Sequence, residues 1–360
     1  MASLAASINE DIRSIEVCDL DRMVAIDRAH TGSPRRRFFE KRLAAAVAHP
    51  QDFVQIGLTR GGMLRGFAIA RLLRGEFGLG DVAAVLDVLD IEPESRDRGL
   101  GQALVDRMVD IMAQKGVHSL YSQASWTNHQ LLRFFHAAEF ELSPRIVVSR
   151  SVSAPLIETV GEGRVVATEK HEAMQFAATI PTRVGDAAEI NYGTTVPDFS
   201  PLARDEIPVR GMKDSDLLAI IAIDRQIVGR DRSEYFAEKL QEALFESGVR
   251  VSLVAERDNR PVGFIMARVD LGEFGRFEPN AVLDTIGVDP DYRNQGIGRA
   301  LLSQLLLNLN TLRIDRVSTE VDWRDRELLA FLDHCSFVPA PELCFVRVIA
   351  GAKNARKPAE

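Results

Sequence analysis

The chain has 360 residues, 46% of them hydrophobic, which is enough for two cores of ordinary size. Its formal net charge of −8 argues against binding to nucleic acid through a basic surface. Its three cysteines are too few for a disulfide framework, and its seven scattered histidines show no metal-ligand spacing. No signal peptide and no apolar run long enough to span a membrane is recognisable, so we expect a cytoplasmic protein without a metal site.

A first domain is predicted over residues 12–152, after a leader at residues 1–11. Hydrophobic spacing indicates two helices, a strand hairpin, a third strand, a helix, a buried strand, a helix and a last strand. The clearest segments are Phe38–Val47, Phe53–Thr59, Leu64–Leu72, His118–Ala124 and Ile146–Ser149. Arg35, Arg36 and Arg37 lie between the first two helices and predict either a solvated helix start or a contact for a phosphate or an acidic acceptor.

A second domain is predicted over residues 208–351, with the same order of elements. Residues 153–207 have no counterpart in either domain, and we interpret them as a linker with some order, since this length is long for a pure spacer. Residues 352–360 are interpreted as a disordered basic tail.

The two domains are copies of one another at a constant offset of 197 positions. This offset joins Arg96, Gly99 and Gly101 to their counterparts in the second copy. It also joins Asp27 to Asp224, Gly32 to Gly229, Arg71 to Arg268, Gly75–Gly78 to Gly272–Gly275 and Trp126 to Trp323. A gapless match over more than a hundred positions predicts a tandem duplication.

A glycine turn in each copy is the strongest local motif. The apolar run Val282–Val288 stops at Pro290, because proline cannot continue a strand ladder, and Arg293-x-x-Gly296-x-Gly298 then begins a helical pattern. A helix N-terminus with nearby glycines favours phosphate binding. Neither a dinucleotide-binding fingerprint nor a G-K-[ST] phosphate loop fits the spacing, and a plain helix-capping turn is the structural alternative.

This order of strand, proline, R-x-x-G-x-G and helix resembles the GNAT superfamily of acyl-CoA N-acyltransferases. The resemblance covers nearly the whole chain apart from the linker. It implies an α/β fold with a mixed sheet and two GNAT domains in tandem. It also implies direct transfer of an acetyl or other short acyl group from acetyl-CoA, or another acyl-CoA, to an amine.

The resemblance implies that both glycine turns and the strands before them bind coenzyme A. In the second repeat the expected residues are Ile286, Gly287, Val288, Arg293, Asn294, Gln295, Gly296, Ile297, Gly298 and Arg299. In the first repeat they are Leu89, Ile91, Arg96, Asp97, Arg98, Gly99, Leu100 and Gly101. The expected acceptor is a small-molecule amine or a peptide or protein amine. We expect a monomer or homodimer that acts without nucleic acid or membrane.

Glu320 is the leading catalytic candidate. Relatives that resemble protein amino-terminal acetyltransferases carry a Glu in an E-V-x-x-x-N pattern, and Glu320-Val321 matches it with Asp325 in place of Asn. The first repeat has Gln123 instead. Because Gln cannot accept a proton, we expect the second repeat to be the catalyst. Pairing with Arg316 or Arg324 is the structural alternative for Glu320.

Two further pairs of duplicated acids are candidate site residues. Asp87 and Asp284 lie on strands that should be almost entirely apolar, so each is either a base or substrate anchor, or is paired with Arg71 or Arg268. Glu76 and Glu273, in the G-E-F-G segments, either belong to a hairpin tip packed by Phe or contact the amine substrate.

The sequence departs from the family at the proton donor to the leaving thiolate. Phe135 and Leu332 occupy the position of the usual Tyr, and Glu139 and Ser336 that of the usual Gly. A thiol can leave as thiolate without this acid. The missing Tyr nevertheless supports an alternative function, a non-catalytic acyl-CoA sensor or interaction module.

Overall fold

A computed structural model describes residues 10–73, 82–96, 98–154, 207–241, 251–270 and 280–349. Glu76, Asp97 and Glu273 lie outside these residues, as does nearly all of the predicted linker. No helix within the described ranges combines the length and apolar character that a membrane crossing requires.

Both repeats contain the predicted elements in the same order. The first repeat comprises β1 (Glu10–Ser14), α1 (Leu20–Thr31), α2 (Arg36–Ala48), β2 (Phe53–Arg60), β3 (Met63–Leu73), β4 (Ala83–Ile91), α3 (Leu100–Gln114), β5 (Ser119–Ser125), α4 (His129–Ala137) and β6 (Glu141–Ser151). The second comprises β7 (Val209–Gly211), α5 (Leu217–Val228), α6 (Ser233–Gln241), β8 (Leu253–Arg257), β9 (Arg260–Asp270), β10 (Asn280–Val288), α7 (Ile297–Thr311), β11 (Arg316–Asp322), α8 (Arg326–His334) and β12 (Val338–Val348).

In the described part of the chain, twelve strands form one mixed sheet in the order β1-β2-β3-β4-β5-β12-β6-β11-β10-β9-β8-β7. The pairs β4–β5 and β10–β11 are parallel, and the other neighbours are antiparallel. Helices α3 and α7 pack on one face through apolar clusters centred on Met108 and Leu305. Helix pairs α1–α2 and α5–α6 cover the other face around Phe39 and Phe236. The predicted mixed α/β fold is confirmed.

The last strands of the two repeats change places, which the sequence did not predict. Strand β12 of the second repeat pairs with β5 of the first, and β6 of the first pairs with β11 of the second. The two exchanged strands also pair with each other, and Ile146 lies opposite its own duplicate, Leu343. The domain boundaries remain predictions, but a pseudo-twofold axis passes through strands shared by both repeats.

Arg35 does not fit either interpretation of the arginine triplet. It is buried, forms an ion pair with Asp27, and lies over the rings of Phe38 and Phe39. The second repeat reproduces this pair in Arg232 and Asp224. A buried cation needs a matched anion, so the recurrence of these residues is explained by packing between the two helices of each pair.

Candidate functional site

Each repeat contains a fork between its two parallel strands. Strands β10 and β11 pair only from Asn280 to Val282, and β4 and β5 only from Ala83 to Val85. Just beyond the paired residues, a side-chain hydrogen bond takes the place of the backbone hydrogen bonds between the strands. Thr319 Oγ1 donates to the carbonyl of Leu283 at 2.9 Å. The strands then diverge, which leaves a wedge-shaped cleft at their carboxyl ends.

One wall of the second cleft presents backbone amides. The N–H of Asp289 donates to Val262 on β9 at 2.9 Å, and successive residues of a strand point their N–H groups to opposite edges. The amides of Val288 and Ile286 therefore face the cleft, and that of Gly287 faces β9. The first repeat has the same geometry, because Glu92 N–H donates to Arg65 at 2.8 Å.

Glycines with positive φ begin the helices beside the clefts. Gly99 (φ 75°) and Gly296 (φ 82°) precede α3 and α7 in the left-handed conformation that favours glycine. The first intrahelical bonds start at Ala103 and Ala300, so the preceding amides point out of the helix end. Such an end fits an anionic diphosphate.

The second glycine of each turn serves helix packing. A Cβ on Gly101 would lie 3.0 Å from the ring of Phe134, and one on Gly298 would lie 3.1 Å from the ring of Phe331. Helices α4 and α8 therefore pack closely against the helix start. The sequence predicts that close approach of a ligand requires these glycines, whereas the structure places an aromatic ring beside Gly101 and Gly298.

Glu320 lies at the centre of the sheet and contacts residues of the first repeat. Its Oε1 is 2.5 Å from Arg145 Nε, and its Oε2 accepts a hydrogen bond of 2.7 Å from Gln123 Nε2. The partners expected from sequence bind elsewhere: Arg324 pairs with Asp322, and Arg316 donates to a serine hydroxyl on β6. The catalytic role of Glu320 stays a prediction.

Asp87 and Asp284 occupy equivalent bulges, where the register of β4 and β10 slips by one residue. Both are buried. Asp284 pairs with Arg268 and lies 3.9 Å from Lys239, and Asp87 pairs with Arg42 at 3.2 Å and Arg71 at 3.7 Å. The ion pairs with Arg71 and Arg268 are those that the sequence offers as the alternative to a catalytic role. They favour a role in holding the bulge, and the role of either acid as a base stays a prediction.

The two clefts differ in charge. Asp90 stands where the second repeat has Gly287, and burial together with the nearby Asp27 raises the pKa of Asp90 to about 7. His30 donates to the carbonyl of Ile91 at 2.6 Å and lies 2.5 Å from Arg96 Nη2, and burial lowers the pKa of His30. The arginine of the first glycine turn is thus engaged by a histidine.

Replacing Asp90 with Asn is expected to remove a pH-dependent loss of stability. The pKa of Asp90 in the folded state lies above the usual 3.8, so the fold favours the neutral carboxyl. Its contribution to folding stability is therefore complete below about pH 4 and is lost as the pH rises through about 7. The variant should exceed the parent by a few kcal/mol at pH 8 and by much less at pH 4.5. Urea unfolding at both pH values measures this, and an equal difference at both would contradict it.

The position of the family's Tyr is filled by core residues. Phe135 and Leu332 are buried, and the residues four positions later, Glu139 (φ 59°) and Ser336 (φ 64°), keep the left-handed turn that glycine would favour. Burial raises the pKa of the neighbouring Cys335 to about 11, so its thiol is not ionised at neutral pH.

No group of three or more potential metal ligands occurs among the described residues.

Ser336→Gly is expected to stabilise the fold by about 0.5–1 kcal/mol, because glycine adopts this backbone conformation without a Cβ penalty. Urea unfolding checks the value. Ser336→Ala is the matched control, since it removes the hydroxyl but keeps the Cβ. Equal stabilisation by both substitutions would show that the hydroxyl, and not the backbone, carries the cost.

The model of the acetyltransferase (GNAT) family matches the chain twice, at residues 18–140 and 219–337. The matched segments end directly before β6 and β12, the exchanged strands. A [ribosomal protein bS18]-alanine N-acetyltransferase of Escherichia coli strain K12 is 25% identical over 130 residues, 36% of this chain and 79% of that protein.

Two solved structures share the fold over nearly the whole chain. A tandem GNAT protein from the clavulanic acid biosynthesis pathway matches 98% of this chain and 100% of its own, with a TM-score of 0.58 and 14% identity. A GCN5-related glucosamine N-acetyltransferase region of a fungal multi-domain GH3 β-N-acetylglucosaminidase matches 95% of this chain, with a TM-score of 0.58 and 12% identity. This chain covers only 38% of that second protein.

Proposed function

Because the chain belongs to the acetyltransferase (GNAT) family, we propose that it transfers an acetyl or other short acyl group from acyl-CoA to an amine in the cleft of the second repeat. The observation that carries the proposal is the fork between β10 and β11, with a glycine-led helix N-terminus beside it. The thioester of acyl-CoA would supply the activated acyl group.

The residues of the second cleft fit the two ends of such a cofactor. The outward-pointing amides around Gly296 and Gly298 would bind the diphosphate. The amides of Ile286 and Val288 would bind the pantetheine arm and the acyl carbonyl, and the Val288 N–H can donate to a carbonyl oxygen that gains charge. Arg293, which is 3.6 Å from Glu327 at the surface, adds positive charge near the helix start.

Glu320 would receive the proton of the amine. An amine with a pKa of about 10.4 costs roughly 4–5 kcal/mol to deprotonate at pH 7, so a carboxylate reached directly or through water assists the reaction. Within the described part of the chain, Arg145 lies at one carboxylate oxygen of Glu320 and Gln123 at the other, and each oxygen carries two lone pairs. The remaining acceptor sites can take a water molecule or the amine itself.

A non-catalytic acyl-CoA sensor is the second candidate. The burial of Phe135 and Leu332 at the position of the usual proton donor favours it. In that case the second cleft would bind acyl-CoA without turnover, and the first cleft, with Arg96 engaged by His30, would serve as a scaffold.

Release of thiol from acetyl-CoA in the presence of a panel of amines separates the two functions. The panel should include a peptide with an N-terminal alanine, the residue named for the E. coli relative, together with a polyamine and an amino sugar. The transferase predicts saturable thiol release that depends on one class of amine. Saturable CoA binding by calorimetry with no release on any amine would favour the sensor. The calorimetric stoichiometry also reports whether the first repeat binds CoA.

A further inference from the structure

The exchanged strands bring a cation of the first repeat to the candidate base of the second. In the register of β6 against β11, Arg145 lies opposite Asp322, and Val147 lies opposite Glu320. Arg145 and Glu320 are therefore diagonal neighbours on one face of the sheet, a separation that long side chains can bridge. Most of the Arg145 side chain is buried, whereas Glu320 remains partly open to solvent.

Arg145 holds Glu320 at two points. Its Nε lies 2.5 Å from Oε1 of the carboxylate, and its Nη2 donates to the backbone carbonyl of the same residue at 3.0 Å. Gln123, also from the first repeat, donates to Oε2 at 2.7 Å. A planar guanidinium that contacts both the side chain and the backbone of one residue restricts the orientation of that side chain.

The arrangement is not repeated in the first cleft. The duplicate of Arg145 is Glu342 on β12, and the duplicate of Glu320 is Gln123. In the first cleft the position of the candidate base is therefore a glutamine, and the position of the arginine is a glutamate. Since Gln123 and Glu320 touch across the pseudo-twofold axis, a glutamate at both positions would place two carboxylates in contact.

We propose that Arg145, carried by the last strand of the first repeat, is the positioning residue for Glu320, so that a single catalytic centre is built from both repeats. This inference rests on the proposed function. It assigns the first repeat a direct part in the reaction of the second cleft. The strand exchange explains how the two halves share one centre, and the divergence of the duplicated residues explains why there is only one.

The test uses the full-length chain with Arg145→Met and Arg145→Lys. The Met variant should lower kcat by ~10–100-fold, because a displaced catalytic group costs up to about two orders of magnitude, while CoA affinity by calorimetry and the KM for acetyl-CoA stay unchanged. The Lys variant keeps the charge and should recover a substantial part of kcat.

Arg347→Met is the matched control. Arg347 is an equally shielded arginine of the other exchanged strand, but it pairs with Asp106 and Glu139, away from Glu320. This variant should retain kcat, and thermal unfolding of all three variants reports structural damage.

If the parent chain is active and Arg145→Met does not change its kcat, the positioning role of Arg145 is wrong, while the proposed function stands. The same conclusion follows if Arg145→Met and Arg347→Met lose activity and CoA binding equally, since the effect is then structural. A parent chain that binds CoA but turns over no amine overturns the proposed function and this inference with it.

Discussion

Glu320→Gln is expected to lower kcat for amine-dependent thiol release by ~10²–10⁴-fold, the usual contribution of a positioned general base. The substitution preserves the shape of the side chain and keeps an oxygen that can face Arg145, but it removes the ability to accept a proton. Because the glycine turn is untouched, CoA affinity should be retained. Steady-state kinetics at several pH values, combined with calorimetry, measures both quantities.

Asp322→Asn provides the control for this substitution. Asp322 lies two residues further along the same strand and pairs with Arg324 at the surface. We expect the control to keep the kcat of the parent chain. If Glu320→Gln also kept it, the base would have to be sought elsewhere, and Asp284, despite its pairing with Arg268, would be the next residue to test.

Gln123→Glu is expected to destabilise the chain by about 2–4 kcal/mol at pH 8, because two carboxylates would replace one hydrogen-bonded pair. At pH 5 a shared proton can restore the hydrogen bond, so the loss should be smaller. Urea unfolding at both pH values measures the effect. Gln123→Met has a similar volume without charge, and its effect should not depend on pH.

A destabilisation by Gln123→Glu that did not change with pH would contradict the contact between the two duplicated positions. The expected result would instead explain the difference between the repeats. In the exchanged arrangement the duplicated positions 123 and 320 lie against each other. Only one of them could remain a carboxylate without a like-charge cost.

The sequence predicted the fold well where the signal was local. Pro290 predicted the end of a strand, and β10 ends at Val288. The helical pattern at the glycine turn predicted a helix start, and α7 begins within one residue of Gly298. The GNAT resemblance and the tandem duplication are confirmed by two matches to the family model. These features depend on periodicity, turn residues and repetition, all of which are visible in one chain.

The strand exchange could not be predicted, because pairing partners far apart in the chain leave no local pattern. Ile146–Ser149 is a good strand whether it lies beside β5 or β11. The partner of Glu320 was therefore sought among nearby arginines, whereas Arg145 lies 175 positions away. The only sequence signal was the opposite charge of the duplicated pair Arg145 and Glu342.

Buried charges were the other feature that the sequence left open. An isolated Asp on an apolar strand fits either a function or an ion pair. The sequence named Arg71 as the alternative partner of Asp87, and the structure adds Arg42. The same holds for Arg35, which seemed exposed in a run of three arginines and is buried against Asp27. Charge patterns in a sequence do not reveal which members of a run point inward.

A crystal structure of the full-length chain with bound CoA would show whether the second cleft holds the cofactor. We expect the pantetheine arm between β10 and β11, the diphosphate at the amides that follow Gly296, and the thiol on the side of the cleft that Glu320 faces. A cofactor bound outside this fork, or a fork closed by side chains while CoA binds elsewhere, would contradict the account.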